Sequence, residues 1–403
     1  MNRKPSDFLG LVLFLFAMGC GDSTGTPTLN GSPGCVKAYG TLGESEHTTN
    51  VFQTTDGFVA GGYRNGLGSF LLKTDTDFKQ TWFKKWDDEF IFDMQALADG
   101  TFIAVGQKND KPWIAAVDAD GTQTWAHVLP LDSLSLGRAN GVVLAQDGGI
   151  VVVGSKNAPE TKAYTVAYVV KLNAQGELDE TSKTWETFID AESFTGEFDE
   201  AVAVVEAEKG GFVVVGSSGP LLDQDGWFVG FSETGAKQFQ QTIANPNGNV
   251  KLNDLIAVSG GYVAVGTQEM PSKEPGTMNF DMLVVKIDDA GSKILAEEKF
   301  SSDKDCLDAG TGVANTSDGG YVVVGQHCNI PTGRFMKRAV NAAGDTTVWN
   351  RSVGSDQRYV VLDAVAALDT GGFLLAGGVT ESDDPLGKGD VAFVALDAEG
   401  QCL

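Results

Sequence analysis

One pattern recurs seven times along the chain, and it constrains the architecture before any other property is considered. A turn, an apolar run and a glycine follow one another as DGFVAGG from Asp56, DGTFIAVG from Asp99 and DGGIVVVG from Asp147, and again from Lys209, Ser259, Asp318 and Thr370. The closing glycines are Gly62, Gly106, Gly154, Gly216, Gly266, Gly325 and Gly377, a period of about 52 residues. Each copy is followed by an apolar strand ending in a turn, such as WIAAVDADG (113–121), YVVKLNAQG (168–176) and VAFVALDAEG (391–400). A large side chain comes a few positions later, at Trp82, Trp125, Trp185, Phe239, Leu295 and Trp349. A fourth apolar stretch, such as MQALA before Asp99, precedes the next turn.

Each unit therefore contains four short strands, A to D, with the glycine-rich turn between A and B. Asp-Gly and Gly-Gly between apolar runs supply the positive φ angles that a tight hairpin needs. Runs such as VVVG are apolar on both faces, as strands buried between two neighbouring sheets must be. Seven such units predict an all-β chain, a seven-bladed β-propeller of four-stranded blades. The last repeat stops at Leu403 without its strand D, while Cys35 to Gly40 reads as a strand D with no unit of its own. The two deficits cancel if the N-terminal strand completes the last blade, which removes an open edge. An extended solenoid, the alternative, would need capping repeats that the sequence lacks.

Ahead of the repeats lies an address. Arg3 and Lys4, an apolar run from Phe8 to Phe16 and small residues up to Cys20 read as a signal peptide, too short to span a bilayer as a helix. Ala17-Met18-Gly19-Cys20 resembles the bacterial lipobox, and the resemblance implies lipid attachment at Cys20. The expected organisation is a signal peptide over 1–19, a lipidated cysteine and flexible tether over 20–33, and a propeller over 34–403. Gly21 after that cysteine, by the same resemblance, implies the outer membrane or cell surface.

In an exported compartment disulfides persist. The midpoint of Cys306 and Cys328, residue 317, falls at the Asp318-Gly319 turn, and residues on either side of a hairpin turn face each other. Cys35 begins the closing strand and Cys402 ends the last blade, so a bond there would fasten the ring. The pairs are alternatively free thiols; neither spacing is that of a zinc site or a CxxC redox motif.

Composition excludes several functions. Glycine supplies 51 of 403 residues with only 12 prolines, and 29 basic against 54 acidic residues give a net charge of −25. A surface this acidic repels phosphate backbones, so no nucleic-acid partner is expected. No HExxH or GxxxxGK[ST] occurs, and His47, His127 and His327 fall in different repeats. No catalytic residue, metal ligand or cofactor is assigned. Asp118-Ala-Asp-Gly121 and Asp223-Gln-Asp-Gly226 carry fragments of calcium-loop spacing without the closing glutamate, and read as turns.

Alternating strands separate the loops into two faces. The A–B and C–D turns are short and stereotyped; the B–C and D–A connections, such as 155–165, 217–226, 267–280 and 378–390, vary in length and composition. Function on a rigid scaffold concentrates in variable loops. On that side the inner strands carry Thr49, Asp93, Asn140, Glu200, Asp254, Thr311 and Asp363, one polar residue per repeat. Of these, Asp93, Asn140, Glu200, Asp254 and Asp363 are the candidate channel-mouth ring for a cation or basic ligand; hydrogen bonding between blades is the competing role.

The repeat DGG-apolar-VG, then VVKLDxxG, then Trp resembles the secreted propeller-repeat lipoproteins of bacteria, and WIAAVDADGTQTW (113–125) is more distantly similar to the quinoprotein-like propellers. The latter have eight blades where seven repeats are counted here, a departure that argues against quinone binding. Because no catalytic constellation rises above the repeat pattern, the expected role of this cell-envelope lipoprotein is that of a monomeric, non-enzymatic binding or scaffolding module for protein or glycan. The alternative is a propeller hydrolase or lyase acting on an envelope or extracellular polymer.

Overall fold

The computed structural model describes residues 28–29, 35–40, 44–129, 136–157, 164–179, 184–189, 198–220, 222–272, 277, 279–302, 305–327, 332–340, 345–354, 358–381 and 389–403. Two short strands come first, β1 (Thr28–Leu29) and β2 (Val36–Tyr39). Blade one holds β3 (Glu46–Thr54), β4 (Gly57–Arg64), β5 (Gly68–Asp75) and β6 (Gln80–Asp87); blade two holds β7 (Glu89–Ala96), β8 (Phe102–Lys108), β9 (Lys111–Val117) and β10 (Gln123–Val128). Blade three is β11 (Gly137–Leu144), β12 (Ile150–Asn157), β13 (Thr165–Leu172) and β14 (Trp185–Ile189); blade four is β15 (Glu200–Glu206), β16 (Phe212–Ser218), β17 (Asp225–Phe231) and β18 (Lys237–Ile243). Blade five is β19 (Val250–Val258), β20 (Gly261–Glu269), β21 (Phe280–Asp288) and β22 (Ile294–Phe300); blade six is β23 (Ala309–Asn315), β24 (Tyr321–His327), β25 (Thr332–Ala339) and β26 (Thr346–Val353). Blade seven has β27 (Arg358–Ala367), β28 (Phe373–Glu381) and β29 (Asp390–Leu396), and β2 supplies its fourth strand antiparallel to β29. The chain is a seven-bladed β-propeller closed by its N-terminal strand.

Closure follows from packing. Seven hydrophobic clusters fill the seven junctions, each drawn from two adjacent blades, including one between blades seven and one (Val51, Phe58 and Phe70 with Leu374 and Phe393). Strand β12 displays the rule: Ile150 and Val152 pack toward blade two while Val151 and Val153 pack toward blade four. Successive side chains point to opposite faces, so a strand between two neighbours must be apolar throughout. Cys35 and Cys402 form a disulfide with a Cα–Cα distance of 5.4 Å, fastening β2 to the chain's end. Cys306 is also disulfide-bonded; its expected partner Cys328, like the lipobox residue Cys20, lies outside the described residues.

The repeat motifs have separate physical causes. In the C–D turns a side-chain oxygen caps two amides, as where Asp118 Oδ1 accepts the N–H groups of Asp120 (3.0 Å) and Thr122 (2.8 Å), an Asx-turn. The following glycine adopts φ of +75° at Gly121 and +81° at Gly235, and its missing Cβ leaves room for the outer-strand aromatic of the preceding blade. A Cβ at Gly121 would lie 3.0 Å from Trp82, and one at Gly235 would lie 2.6 Å from Trp185. The turn aspartate and the strand-C lysine are partners: Asp56 with Lys73, Asp147 with Lys171 and Asp318 with Lys337, at 2.7–2.8 Å. Blade five has Ser259 at the aspartate position, and there Lys286 reaches Asp345 of blade six at 2.9 Å instead.

Two expectations need amendment. Leu295 does not hold the outer-strand position of blade five: it falls at a register shift and is 51% exposed, while Ala296 pairs with Lys286 as Trp349 pairs with Lys337 in blade six. Within the segment expected to be a tether, Thr28 and Leu29 pair in parallel with Ser352 and Val353 on the outer edge of blade six.

Candidate functional site

The inner strands β3, β7, β11, β15, β19, β23 and β27 surround the central channel, and each is interrupted at the same place. The register shifts between Thr48 and Asn50, Ile91 and Asp93, Ala139 and Gly141, Ala201 and Ala203, Leu252 and Asp254, Gly310 and Gly312, and Leu362 and Ala364. Seven β-bulges thus ring the channel, each inserting one unpaired residue and re-aiming its neighbours. The closing glycine of each repeat is the other half of this device. A Cβ there would meet the carbonyl oxygen two positions before the bulged residue at 1.7 Å for Gly106 and Phe90, 1.8 Å for Gly325 and Ala309, and 1.9–2.1 Å in the other five blades. Only glycine admits that approach.

The bulges place the candidate ring residues in three registers rather than one. Thr49, Asn140, Thr311 and Asp363 are the bulged residues themselves; Asp93 and Asp254 come one position later; Glu200 lies two positions before its blade's bulged residue, Val202. Glu200 stands apart in chemistry as well, paired with Arg138 and accepting from Asn140 Nδ2 at 2.9 Å.

Three of the bulged polar residues tie a blade to the next. Asn140 Nδ2 donates to the carbonyl of Ala201 at 2.8 Å, Asn253 Nδ2 to that of Gly310 at 2.7 Å and Thr311 Oγ1 to that of Leu362 at 2.6 Å. The residue one position later works in the opposite sense. Asp93 accepts the N–H of Met94 and, across the junction, that of Val142, both at 2.8 Å, and takes Asn50 Nδ2 at 2.6 Å. Asp254 repeats this with Leu255 and Val313, both at 2.8 Å. Each carboxylate thus accepts one amide of its own strand and one of the next blade's inner strand.

Asp93, Asp254 and Asp363 are enclosed on all sides yet keep some accessible surface, as groups lining a narrow channel do. Burial pushes the Asp93 carboxyl up to about 6, against the opposing pull of the Val142, Asn50 and Met94 hydrogen bonds. Burial also pushes Asp254 up to about 7, with the Asp93 charge adding to the rise, and burial alone takes Asp363 to about 7. Desolvation disfavours the charged form in all three. No group of three or more His, Cys, Asp or Glu side chains converges as a metal site among the described residues. Asn140, Asp93 and Asp254 each make a hydrogen bond to the following blade. Asn50 and Asn253, which belong to this girdle, were signalled in sequence only by the adjacent polar pairs Thr49-Asn50 and Asn253-Asp254, which break the alternation of a strand.

The two faces differ as their loops suggest. On the short-turn face, a recess of about 590 Å³ is lined by residues including Gln53, Asp56, Ala98, Asp99 and Asp369, and one of about 380 Å³ by Glu208, Ser259, Tyr262 and Asp289 among others. The variable face exposes Leu67 (45%), Leu136 (47%) and Leu222 (80%). Much of segments 155–165, 267–280 and 378–390 lies outside the described residues. The calcium-like Asp118 segment is a turn, as described above, and Asp223 ends a turn ahead of β17 with its N–H on the Pro220 carbonyl.

No protein-family model matches the chain, and no curated protein matches it. Its fold is similar to that of the RRP9 WD40 repeats, with a TM-score of 0.56 at 10% identity over 92% of this chain and 99% of that one. It is similar also to the Dos1 propeller (TM-score 0.51, 11% identity, 87% and 78% covered) and to a protein from Lactobacillus plantarum (0.50, 13%, 89% and 98%). At these identities the likeness is one of fold.

Proposed function

We propose that the chain is an exported lipoprotein, anchored through Cys20 to the outer membrane or cell surface, whose propeller binds or scaffolds an envelope or extracellular protein or glycan through its variable-loop face. In this reading it is a monomer, acts without catalysis and belongs with the secreted propeller-repeat lipoproteins of bacteria. The observation that carries the binding role is the division of labour between the faces. One face is built from stereotyped turns fixed by Asx-caps and Lys–Asp pairs; the other combines variable connections with exposed leucines at 67, 136 and 222. Exposed apolar side chains on a rigid face offer a protein partner surface to cover. Export is supported by the Cys35–Cys402 disulfide and the bonded Cys306, since such bonds persist outside the reducing cytosol.

Cross-linking in intact cells tests the binding role. A photoreactive side chain at Leu67, Leu136 or Leu222 is expected to capture one common partner, and the same probe at Gln146 or Asp289 on the opposite face is expected to capture none. Capture from the short-turn positions alone would overturn the assignment of the face. Turnover of an envelope polymer by the purified protein, abolished by substitutions on the protein itself, would replace the binding reading with the enzymatic one.

A further inference from the structure

The girdle around the channel contains one member of the wrong charge type. At the bulged position, Asn140, Asn253 and Thr311 each donate to the carbonyl of the following blade, at the residue facing its closing glycine. Blade seven places Asp363 in that register. The corresponding carbonyl of the following blade belongs to Thr48, which faces Gly62 across the junction between the last and first blades. An ionised carboxylate has nothing to donate to a carbonyl, whereas the neutral acid carries one O–H. Asp363 also differs from the other two channel acids, since Asp93 and Asp254 sit one residue later and receive backbone N–H groups that favour their charged form.

The surroundings hold little that would keep Asp363 charged. From β3 and β4, blade one brings His47 and Tyr63, stacked with ring centroids 5.1 Å apart. Burial pushes the Tyr63 hydroxyl up to about 12, with the Asp363 charge adding to that rise and Arg138 opposing it. Burial likewise holds the His47 imidazole below its ordinary range, which favours its neutral form. Strand β23 presents Thr311, whose hydroxyl is given to the Leu362 carbonyl; β24 and β25 turn Val322, Val324 and Phe335 toward β27; and β28 runs past as Ala376, Gly377 and Gly378.

We propose that Asp363 is a proton-dependent latch of the ring: as the neutral acid it donates its O–H to the Thr48 carbonyl and ties blade seven to blade one, and on ionisation this bond is lost and the junction loosens. The bonded proton sits on an oxygen whose burial raises its affinity to about 7. The fold thus keeps a proton that the unfolded chain releases near pH 4. Its stabilisation is fully present below that point, falls as pH rises and is gone above about 7.

Hydrogen exchange of the disulfide-intact protein, corrected for the intrinsic pH dependence of exchange, tests the latch. Between pH 5.5 and 8, amides of β27 and β3 are expected to lose protection at least tenfold more than those at the Asn140–Ala201 junction. The Asp363→Asn variant supplies a permanent donor of the kind found at Asn140 and Asn253, and is expected to remove that difference and to unfold at a higher temperature than the parent at pH 8. Equal pH dependence at the two junctions in the parent protein would overturn the proposal. So would an Asp363→Asn variant that keeps the parent's pH dependence. Should the variant fail to fold, the comparison of junctions within the parent protein still decides.

Discussion

Removing the Cys35–Cys402 disulfide is the sharpest perturbation the fold offers, because it cuts a covalent tie between the two ends of the ring. The bonded residues are 367 positions apart. In the chain-entropy account, closing a loop of that length removes about 6 kcal/mol of freedom from the unfolded chain. Unfolding entropies near 2.1 cal/mol/K per residue give a body of this size about 0.8 kcal/mol/K at its midpoint. The Cys35→Ser/Cys402→Ser double variant is therefore expected to melt about 8 °C lower than the oxidised parent. The loss has a location as well. Strand β2 adds only four residues, Val36 to Tyr39, to the edge of blade seven, so its amides should exchange first while β3 to β6 keep their protection. Calorimetry and hydrogen exchange read the two effects. A midpoint lowered by less than about 2 °C, or protection lost evenly around the ring, would refute the view that the chain ends form the weakest junction.

Further outcomes follow from individual contacts. Ala at Gly148, where φ is +84° and nothing lies within 4 Å of the added Cβ, should cost about 1 kcal/mol for the left-handed backbone alone. Ala at Gly235 meets Trp185 at 2.6 Å as well and should cost about 1–3 kcal/mol more, both read from urea midpoints. Lys286→Met removes the cation from Asp345, whose side chain is 1% exposed and keeps the Tyr321 hydroxyl at 3.1 Å, and should destabilise the fifth–sixth junction by about 3 kcal/mol. Lys337 and Thr316 hold the Asp318 carboxyl down at about 2. This contribution is present above the ordinary carboxylate range and is lost as pH falls from about 4 toward 2. In Lys337→Met, carboxyl carbon titration should show Asp318 shifted up toward the ordinary range. Metabolic labelling with a fatty acid should mark the parent protein and not a Cys20→Ser variant.

Blade number, strand order and closure were legible because each rests on a period: turn glycines every 52 or so residues, runs apolar on both faces, and an orphan strand before the first repeat. What escaped the sequence depends on a single inserted residue. All seven closing glycines read as strand ends, whereas the approach of the Phe90 carbonyl to Gly106 and of the Ala309 carbonyl to Gly325 makes them one side of a bulge. An insertion shifts every later residue by one, which is why polar residues that looked equivalent divide into Asp363 at the bulge, Asp93 beyond it and Glu200 before it. Leu295 was misplaced for the same reason on an outer strand. The Lys286–Asp345 pair was invisible because it crosses between blades and compensates for a serine at position 259. Thr28–Leu29 carries no periodicity at all, since two residues cannot display one.

The account's central claim is that this ring is a binding platform whose variable-loop face meets its partner. Parallel cross-linking in living cells from Leu222, the most exposed large apolar side chain among the described residues at 80%, and from Asp289 on the opposite face tests it most directly. The account predicts a discrete adduct from Leu222 that disappears when Leu67 and Leu136 on the same face are both replaced by serine, with none from Asp289. An adduct from Asp289 alone, or one from Leu222 that survives both replacements undiminished, would contradict it.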